Sequence, residues 1–373
     1  MDKQPLFQAR TGGYHTCRIP GLCVTRSGTV LATAEARRGH GGDYDDNDVL
    51  LRRSEDGGQT WSTPRVIVGN QTYGPGPISN CMMIGSRNEP VHLLFCHDYA
   101  RVFHAISTDD GRTFSEPRDI TSQLKGFNYP WRVIATGPGH GLELANGRLL
   151  AAVWLSDGSG REMGEGVRGH RPSVTTTMAS DDGGMTWQTG EIICQHTDPG
   201  TMNPSEATLA VNPAGEIIIN LRHEGSNHRR LVARSRDGLR GWSPPRPDPA
   251  LLEPVCHASL ITHPDGTLIF ANPDNLEETF APHPPFCDRK RLTVKLSVDG
   301  GDTWRVSRIL EEGPAGYSDL AVLADGTVLC LYECGLIERM WDDRNVTLAR
   351  FNLEWARELV PAWIRDQVRA FNA

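Results

Sequence analysis

The 373-residue chain has no run of 18 apolar residues, so nothing in it reads as a membrane-spanning helix. Its first ten residues, Met1 to Arg10, lack the apolar core of a secretory leader. Positive charge is not in excess: 38 Lys+Arg against 46 Asp+Glu give a net charge of -8, which argues against a general nucleic-acid binder. Neither nucleic acid nor membrane is expected as a partner. The nine cysteines (Cys17, Cys23, Cys81, Cys96, Cys194, Cys256, Cys287, Cys330 and Cys334) are scattered and form no CxxC pair. That excludes a structural zinc ribbon, and the thiols read as small buried hydrophobes in a reducing compartment. A cytoplasmic location is the expectation, with secretion the alternative for a chain trimmed of its leader. HExxH, a phosphate-binding glycine loop and a nicotinamide fingerprint are all missing, so no cofactor and no metal are expected.

What the chain does have is turns. Glycine numbers 39 and proline 25, and one octapeptide recurs. Ser54-Glu55-Asp56-Gly57-Gly58-Gln59-Thr60-Trp61 returns at Ser107 to Phe114, at Ser180 to Trp187 and at Ser297 to Trp304, with a degraded copy at Ser235 to Trp242. The starts lie 53, 73, 55 and 62 residues apart. In each copy the aspartate can accept backbone N–H groups, glycine supplies positive φ, and the aromatic packs back on a sheet. Strands flank the copies: Val49 to Leu51 precede the first, and Leu292 to Leu296 alternate cleanly before the last. Ser27-Gly28, Asn146-Gly147 and Asp325-Gly326 mark three further hairpins. A unit of about 50–60 residues holding several short strands is one propeller blade. The chain length gives six to seven such units, and a two-sheet sandwich leaves the repeated turn unexplained. The spacing of Leu359, Trp363 and Val368 predicts a short helix within Trp355 to Phe371, packed on the outside.

The repeated turn resembles the Asp-box of the sialidase (neuraminidase) superfamily, and the segments between the boxes carry the likeness further. Arg18-Ile19-Pro20 resembles the family's first inner-strand motif. Thr136 to Gly141 with Asn146-Gly147-Arg148 is similar to its third-blade segment, and Gly313 to Leu320 resembles the segment bearing its catalytic tyrosine. The matches run from about residue 14 to 351. The resemblance implies an all-β, six-bladed propeller acting as one catalytic domain over 1–373, with 351–373 a C-terminal extension. It implies an exo-α-sialidase that releases terminal sialic acid with retention. By position, Arg18, Arg222 and Arg289 match the triad that grips the substrate carboxylate. Asp43 matches the acid/base, Glu206 the residue that activates the nucleophile, Tyr317 the nucleophile, Glu333 the brace of Arg18, and Arg37 a contact to the ring hydroxyl at C4.

The chemistry of such a substrate suits these residue types. A 2-keto sugar acid carries a carboxylate on its anomeric carbon, and three guanidiniums can hold it by planar charge-assisted bonds. A carboxylate nucleophile would be repelled there, whereas a neutral tyrosine becomes nucleophilic once Glu206 takes its proton. Asp43 would protonate the leaving oxygen and later deprotonate water. It lies among four carboxylates in six positions, Asp43 to Asp48, whose crowding is expected to raise some pKa values. A solvated acidic loop binding calcium is the competing reading of that stretch. Gly39, Gly41 and Gly42 suggest a loop that closes over the sugar.

Departures from the family pattern bear on the substrate. Cys17 stands where an aromatic is usual, Asn203-Pro204-Ser205-Glu206 replaces the commoner Asn-Glu pairing, and Lys295 replaces an arginine. His40, Asp98, Tyr129 and His223 are candidate pocket walls. His140, between glycines, fits either a pocket rim or a structural role. Asn345-Val346-Thr347 is a glycosylation sequon only if the chain is secreted. Sialylated or related acidic glycans are the expected partners. Two alternatives stand beside sialic acid: a related ulosonic acid such as KDN or Kdo, and a carbohydrate-binding propeller that never cleaves. Hydrolysis versus transfer, linkage preference and oligomeric state are open at this level.

Overall fold

The recurring turn chemistry assembles six four-stranded antiparallel blades. The computed structural model describes residues 1–85, 90–281 and 283–358. Blade one comprises Thr16–Val24, Val30–Arg37, Asn47–Ser54 and Arg65–Val68, and blade two Ile78–Ile84, Val91–His97, Arg101–Ser107 and Arg118–Asp119. Blade three is built on Val133–Thr136, Leu149–Ser156 and Ser173–Ser180, with Gln188–Thr189 at its edge. Blade four is Ala207–Val211, Ile217–Leu221, Arg229–Ser235 and Arg246–Leu252. Blade five opens with Ser259–Thr262, Leu268–Pro273 and Lys290–Ser297, and it shares with blade six the long strand Val306–Val322, which pairs with Lys290–Ser297 through its first half and with Val328–Leu336 through its second. The last blade is completed by the N-terminal strand Asp2–Gln8 against Asp343–Phe351, so residues distant in sequence close the ring.

Inner strands neighbour one another in succession, and the innermost segment of blade six lies against Thr16–Val24 of blade one. They are buried on both faces, as their apolar runs suggest, and each blade-to-blade layer has its own cluster of Leu, Ile, Val and aromatic side chains. On the axis, buried Asp319 of blade six accepts the Leu22 amide of blade one at 2.7 Å and the Ser259 hydroxyl of blade five at 3.0 Å. His140 Nδ1 meets the same carboxylate at 2.6 Å, which gives that histidine a structural role.

The Asp-boxes form as local chemistry dictates. In the copy at Ser180, Asp182 accepts the Thr186 amide at 2.8 Å and its hydroxyl at 2.6 Å, while Ser180 Oγ accepts the Gly184 amide at 2.8 Å. The Thr186 hydroxyl and amide hold the Asp182 carboxyl down at about 2. Asp56, Asp109 and Asp299 repeat the pattern. The degraded copy keeps its turn through Asp237, which accepts the Leu239 and Arg240 amides instead.

Strand direction decides what each end of the ring is for. Every box follows the third strand of its blade, and the tight hairpins at Ser27-Gly28, Asn146-Gly147 and Asp325-Gly326 follow the first. Both kinds of turn therefore lie at one end of the ring. The connections from second to third strand all emerge at the opposite end, and there they can differ without disturbing the repeat. Where the C-terminal helix is expected, the described residues hold one short helix, Leu353–Arg357, capped by the Asn352 side chain, which accepts the Trp355 amide at 2.9 Å. Residues 359–373 of that expectation, with Leu359, Trp363 and Val368, lie outside the described residues.

Candidate active site

All six second-to-third-strand connections converge on one cavity of about 430 Å³, within the usual range of small-molecule pockets (about 300–1,000 Å³). Arg18, Arg37, Asp43, Glu206, Arg222, Arg289 and Tyr317 all line it. Arg18 and Tyr317 come from the first strands of blades one and six, and Glu206 immediately precedes that of blade four. Arg222 follows the second strand of blade four directly, and Arg289 precedes the third strand of blade five.

The centre is a tyrosine between a carboxylate and a guanidinium. Tyr317 Oη donates to the Glu206 carboxylate, 2.6 and 2.7 Å from its two oxygens, and Arg222 Nη1 donates to the same hydroxyl at 2.5 Å and also to Glu206. Burial pushes the phenol well above its ordinary value, with Glu206 adding to the rise and Arg222 opposing it, so Tyr317 is neutral at rest. Burial also opposes ionisation of Glu206, but Arg222 and the tyrosine hydroxyl outweigh it, and the carboxyl lies below its usual range. Arg289 and Arg18 stand over the tyrosine ring, 4.9 and 5.2 Å from its centroid. Three cations thus surround one neutral hydroxyl and one carboxylate.

Glu333 does more than brace an arginine. It accepts Arg18 Nη2 at 3.0 Å, the Ile19 amide at 2.9 Å and the Tyr317 amide at 2.9 Å, and so fixes the first arginine and the tyrosine backbone together. Ile19 is held at φ 55, a left-handed conformation that a β-branched residue avoids unless its surroundings compel it. A Cβ at position 316 would come within 2.4 Å of Glu333 Oε2, so glycine is required there. Asp343, which sequence reasoning missed, accepts Arg18 Nε at 3.2 Å. Burial and the neighbouring Glu333 push its carboxyl up, while Arg18 and the two amides keep Glu333 below its ordinary value.

Asp43 corrects the expectation drawn from crowding. Its neighbours in the acidic stretch do not press on it. Asp45 turns back to accept the His40 and Gly42 amides, each at 2.8 Å, and Asp48 accepts the Tyr14 hydroxyl at 2.6 Å. Asp43 instead receives Arg37 Nη1 at 2.7 Å. Burial would raise its carboxyl, but Arg37, His170 and Arg18 more than reverse that, and the group lies below the usual aspartate range. Arg37 is itself clamped on its other side by buried Glu35, which accepts Nη2 at 2.8 Å.

The wall assignments divide. His40 lines the cavity; Asp98, Tyr129 and His223 do not. Side chains alternate along extended backbone, so Arg222 faces inward while His223 turns away, fully buried, with Nε2 2.8 Å from the Arg229 carbonyl. Tyr99 lines the cavity from a tight turn in which it and Asp98 take left-handed φ of 48 and 51, and Asp98 pairs with Arg168 outside the cavity. Tyr129 spends its hydroxyl on the Pro172 carbonyl at 3.2 Å and its ring on the third-blade core. The walls are formed instead by Tyr99, Trp154 and His170 on one side, Arg171, Glu224 and Asn203 on another, and Phe286, Trp341 and Arg339 on a third. Arg171 Nε donates to both Glu224 oxygens at 3.0 and 2.9 Å, and Asn203 Nδ2 adds a bond to Glu224 at 2.7 Å. All of the wall residues but Trp154, which lies on the strand Leu149–Ser156, come from connections between strands, and no periodicity marks those in the sequence. Among the described residues, no group of three His, Cys, Asp or Glu is placed to hold a metal ion.

Residues 28–330 match the family described as BNR repeat-like domain. The chain belongs to the sialidase superfamily. It is 30% identical over 368 residues to a sialidase of Micromonospora viridifaciens, covering 92% of this chain and 52% of that one. It is 29% identical over 354 residues to a sialidase of Bacteroides fragilis, covering 85% of this chain and 59% of that one. The chain thus spans little more than half the length of these two relatives. Among solved structures, the Hadza microbial sialidase Hz136 superimposes with a TM-score of 0.75 at 26% identity, covering 95% of this chain and 69% of that one.

Proposed function

We propose that this protein is a retaining exo-α-glycosidase that releases terminal N-acetylneuraminic acid from sialylated glycans, with Tyr317 as nucleophile. The observation that carries the reading is the Tyr317 hydroxyl held by both oxygens of Glu206 and by Arg222 inside a cavity that Asp43 also lines.

The sugar's carboxylate would sit among Arg18, Arg222 and Arg289. Docking it there cancels part of the positive field that holds Asp43 down, so the substrate itself raises the acid toward a working value. Glu206 removes the Tyr317 proton as Oη forms a bond to the anomeric carbon. The glycosidic bond breaks, and Asp43 gives its proton to the departing oxygen. In the second half, Asp43 takes a proton from water, the water oxygen attacks the anomeric carbon, and Tyr317 leaves with its proton returned from Glu206. The anomeric configuration is inverted twice and so retained. A phenol kept neutral by burial meets an electrophile already bearing negative charge without repulsion, which is what favours tyrosine over a third carboxylate.

One feature favours a second reading, a substrate with a hydroxyl at C5 such as KDN. The Arg171–Glu224–Asn203 wall is charged and hydrogen-bonding, and a polar wall left unmatched costs more than a lost apolar contact. Initial rates on matched α-linked fluorogenic glycosides of N-acetylneuraminic acid, KDN and Kdo decide between the two. Fastest release from the first supports the proposal, and release confined to KDN or Kdo moves the substrate while keeping the mechanism. No release from any of the three by folded protein contradicts both readings.

A further inference from the structure

Arg18, Arg37, Asp43, Glu206, Arg222, Arg289 and Tyr317 line the cavity directly, and Glu333, Asp343 and Glu35 brace arginines among them. A buried turn behind them, Glu253 to His257, touches both Arg289 and Tyr317. Its Val255 carbonyl accepts Arg289 Nη2 at 2.7 Å, and its Pro254 carbonyl accepts the Cys287 amide, two residues before Arg289, at 3.3 Å. The Cys256 side chain packs with Ile19 and Tyr317, and the His257 ring lies 5.4 Å from the tyrosine ring. Three consecutive residues thus set the position of a carboxylate-binding arginine and form the floor beneath the nucleophile.

This turn is not at rest in its own conformation. Val255 is β-branched and 1% exposed, yet sits at φ 64 in the left-handed region, which persists only when neighbours over-determine it. The determinant is an ion pair with no solvent exposure on either side, Arg230 with Glu253. Glu253 Oε1 accepts the Cys256 amide at 2.8 Å and Arg230 Nη1 donates to the Cys256 carbonyl at 2.8 Å, so the pair holds both backbone polar groups of one residue. Arg230 is anchored in turn on Asn220, whose Oδ1 accepts Nε at 2.6 Å. A pair so far from water needs every one of these bonds to offset its desolvation, and all of them converge on the turn that presents Val255.

We infer that Glu253 and Arg230 are positioning residues for catalysis: their buried pair clamps the 253–257 turn so that the Val255 carbonyl aims Arg289 at the substrate carboxylate. The inference rests on the reading of Arg289 and Tyr317 given above. It requires that loosening the clamp act through Arg289.

The test compares Glu253→Gln and Arg230→Lys in the full chain. The lysine variant keeps the charge pair but loses the fork that reaches both Cys256 and Asn220. Steady-state kinetics on the preferred fluorogenic glycoside are read with the thermal midpoint, in the wild-type and Arg289→Lys backgrounds. A misplacement of about 1 Å can cost about 100-fold, so each variant is expected to lower kcat/KM by about 10- to 100-fold, with KM raised. In the Arg289→Lys background the same changes should cost less than about 2-fold, because coupled residues are not additive. Folded variants with unchanged kinetics, or with losses that multiply undiminished in the Arg289→Lys background, overturn the inference. Loss of fold in both variants overturns it too, since the pair then serves the fold alone. Failure of the wild type to cleave any of the three glycosides would instead refute the catalytic reading, so the two failures are distinguishable.

Discussion

At the scale of single residues, the site works by setting each group's proton against its neighbours. Tyr317 is kept neutral by burial, Glu206 is kept ionised by Arg222, and Asp43 is kept ionised by Arg37. Asp43 therefore matters in proportion to how badly the leaving group needs a proton. Replacement Asp43→Asn is expected to cost about 10²–10⁴-fold on a sialyl-lactose leaving group and less than about 10-fold on an aryl leaving group, whose oxygen departs unaided. Rates on the two substrates check this, and equal losses on both would remove Asp43 from the acid role. The charged stretch 43–48 shows why this residue could be named in the sequence but its state could not. Its carboxylates suggest mutual repulsion, yet in the fold Asp45 binds backbone amides and Asp48 binds Tyr14 and Arg38. The charge that governs Asp43 comes from Arg37, held in place by Glu35, and no spacing rule conveys that geometry.

At the scale of elements, legibility follows how local the determining chemistry is. The Asp-boxes and the hairpins at Ser27-Gly28, Asn146-Gly147 and Asp325-Gly326 are decided within a few residues, and they form where the sequence places them. Second-to-third-strand connections obey no repeat, so Tyr99, Phe286 and Trp341 emerge as walls only in three dimensions; His223 falls on the wrong side of an alternation, and Asp98 sits in a left-handed turn. Blade two holds another feature invisible in the sequence, the stacked pair His92 and His104, with 3.0 Å between Nδ1 of the first and Nε2 of the second. Burial lowers them to about 4 and about 3, so both are neutral in the folded state. The unfolded chain binds protons near the ordinary value of about 6.5, so this pair's contribution is full above that pH. It is lost as pH falls toward 4, on the order of a few kcal/mol. Unfolding midpoints measured from pH 7 to 4 should drop steeply in the wild type and less in a His92→Gln/His104→Gln variant. Parallel curves would contradict the assignment.

At the scale of the whole molecule, a net charge of -8 coexists with Arg18, Arg37, Arg222 and Arg289 around one pocket. The ring is tied along the axis by Asp319, which joins blades one, five and six and pairs with His140. Asp319→Asn is expected to destabilise the fold by about 3–5 kcal/mol, read from chemical unfolding. The sign with pH is opposite to that of the His92 pair. Burial lowers the His140 pKa, but Asp319 outweighs it and the net value is raised. The stabilisation is therefore full below about 6.5 and lost as pH rises through the higher folded-state value, and the gap between wild type and variant should narrow at alkaline pH. A gap that widens there would contradict the pairing.

The central claim is that a tyrosine, activated by a glutamate, carries the sugar between the two halves of the reaction. The most direct measurement is to incubate the protein with 2,3-difluoro-N-acetylneuraminic acid, whose 2-fluoride leaves readily while the 3-fluorine slows the second half, and to map the adduct by peptide mass spectrometry. The account predicts one equivalent of sugar on the peptide containing Tyr317, absent in Tyr317→Phe. An adduct on Glu206 or Asp43, or turnover by Tyr317→Phe at the wild-type rate, would contradict it.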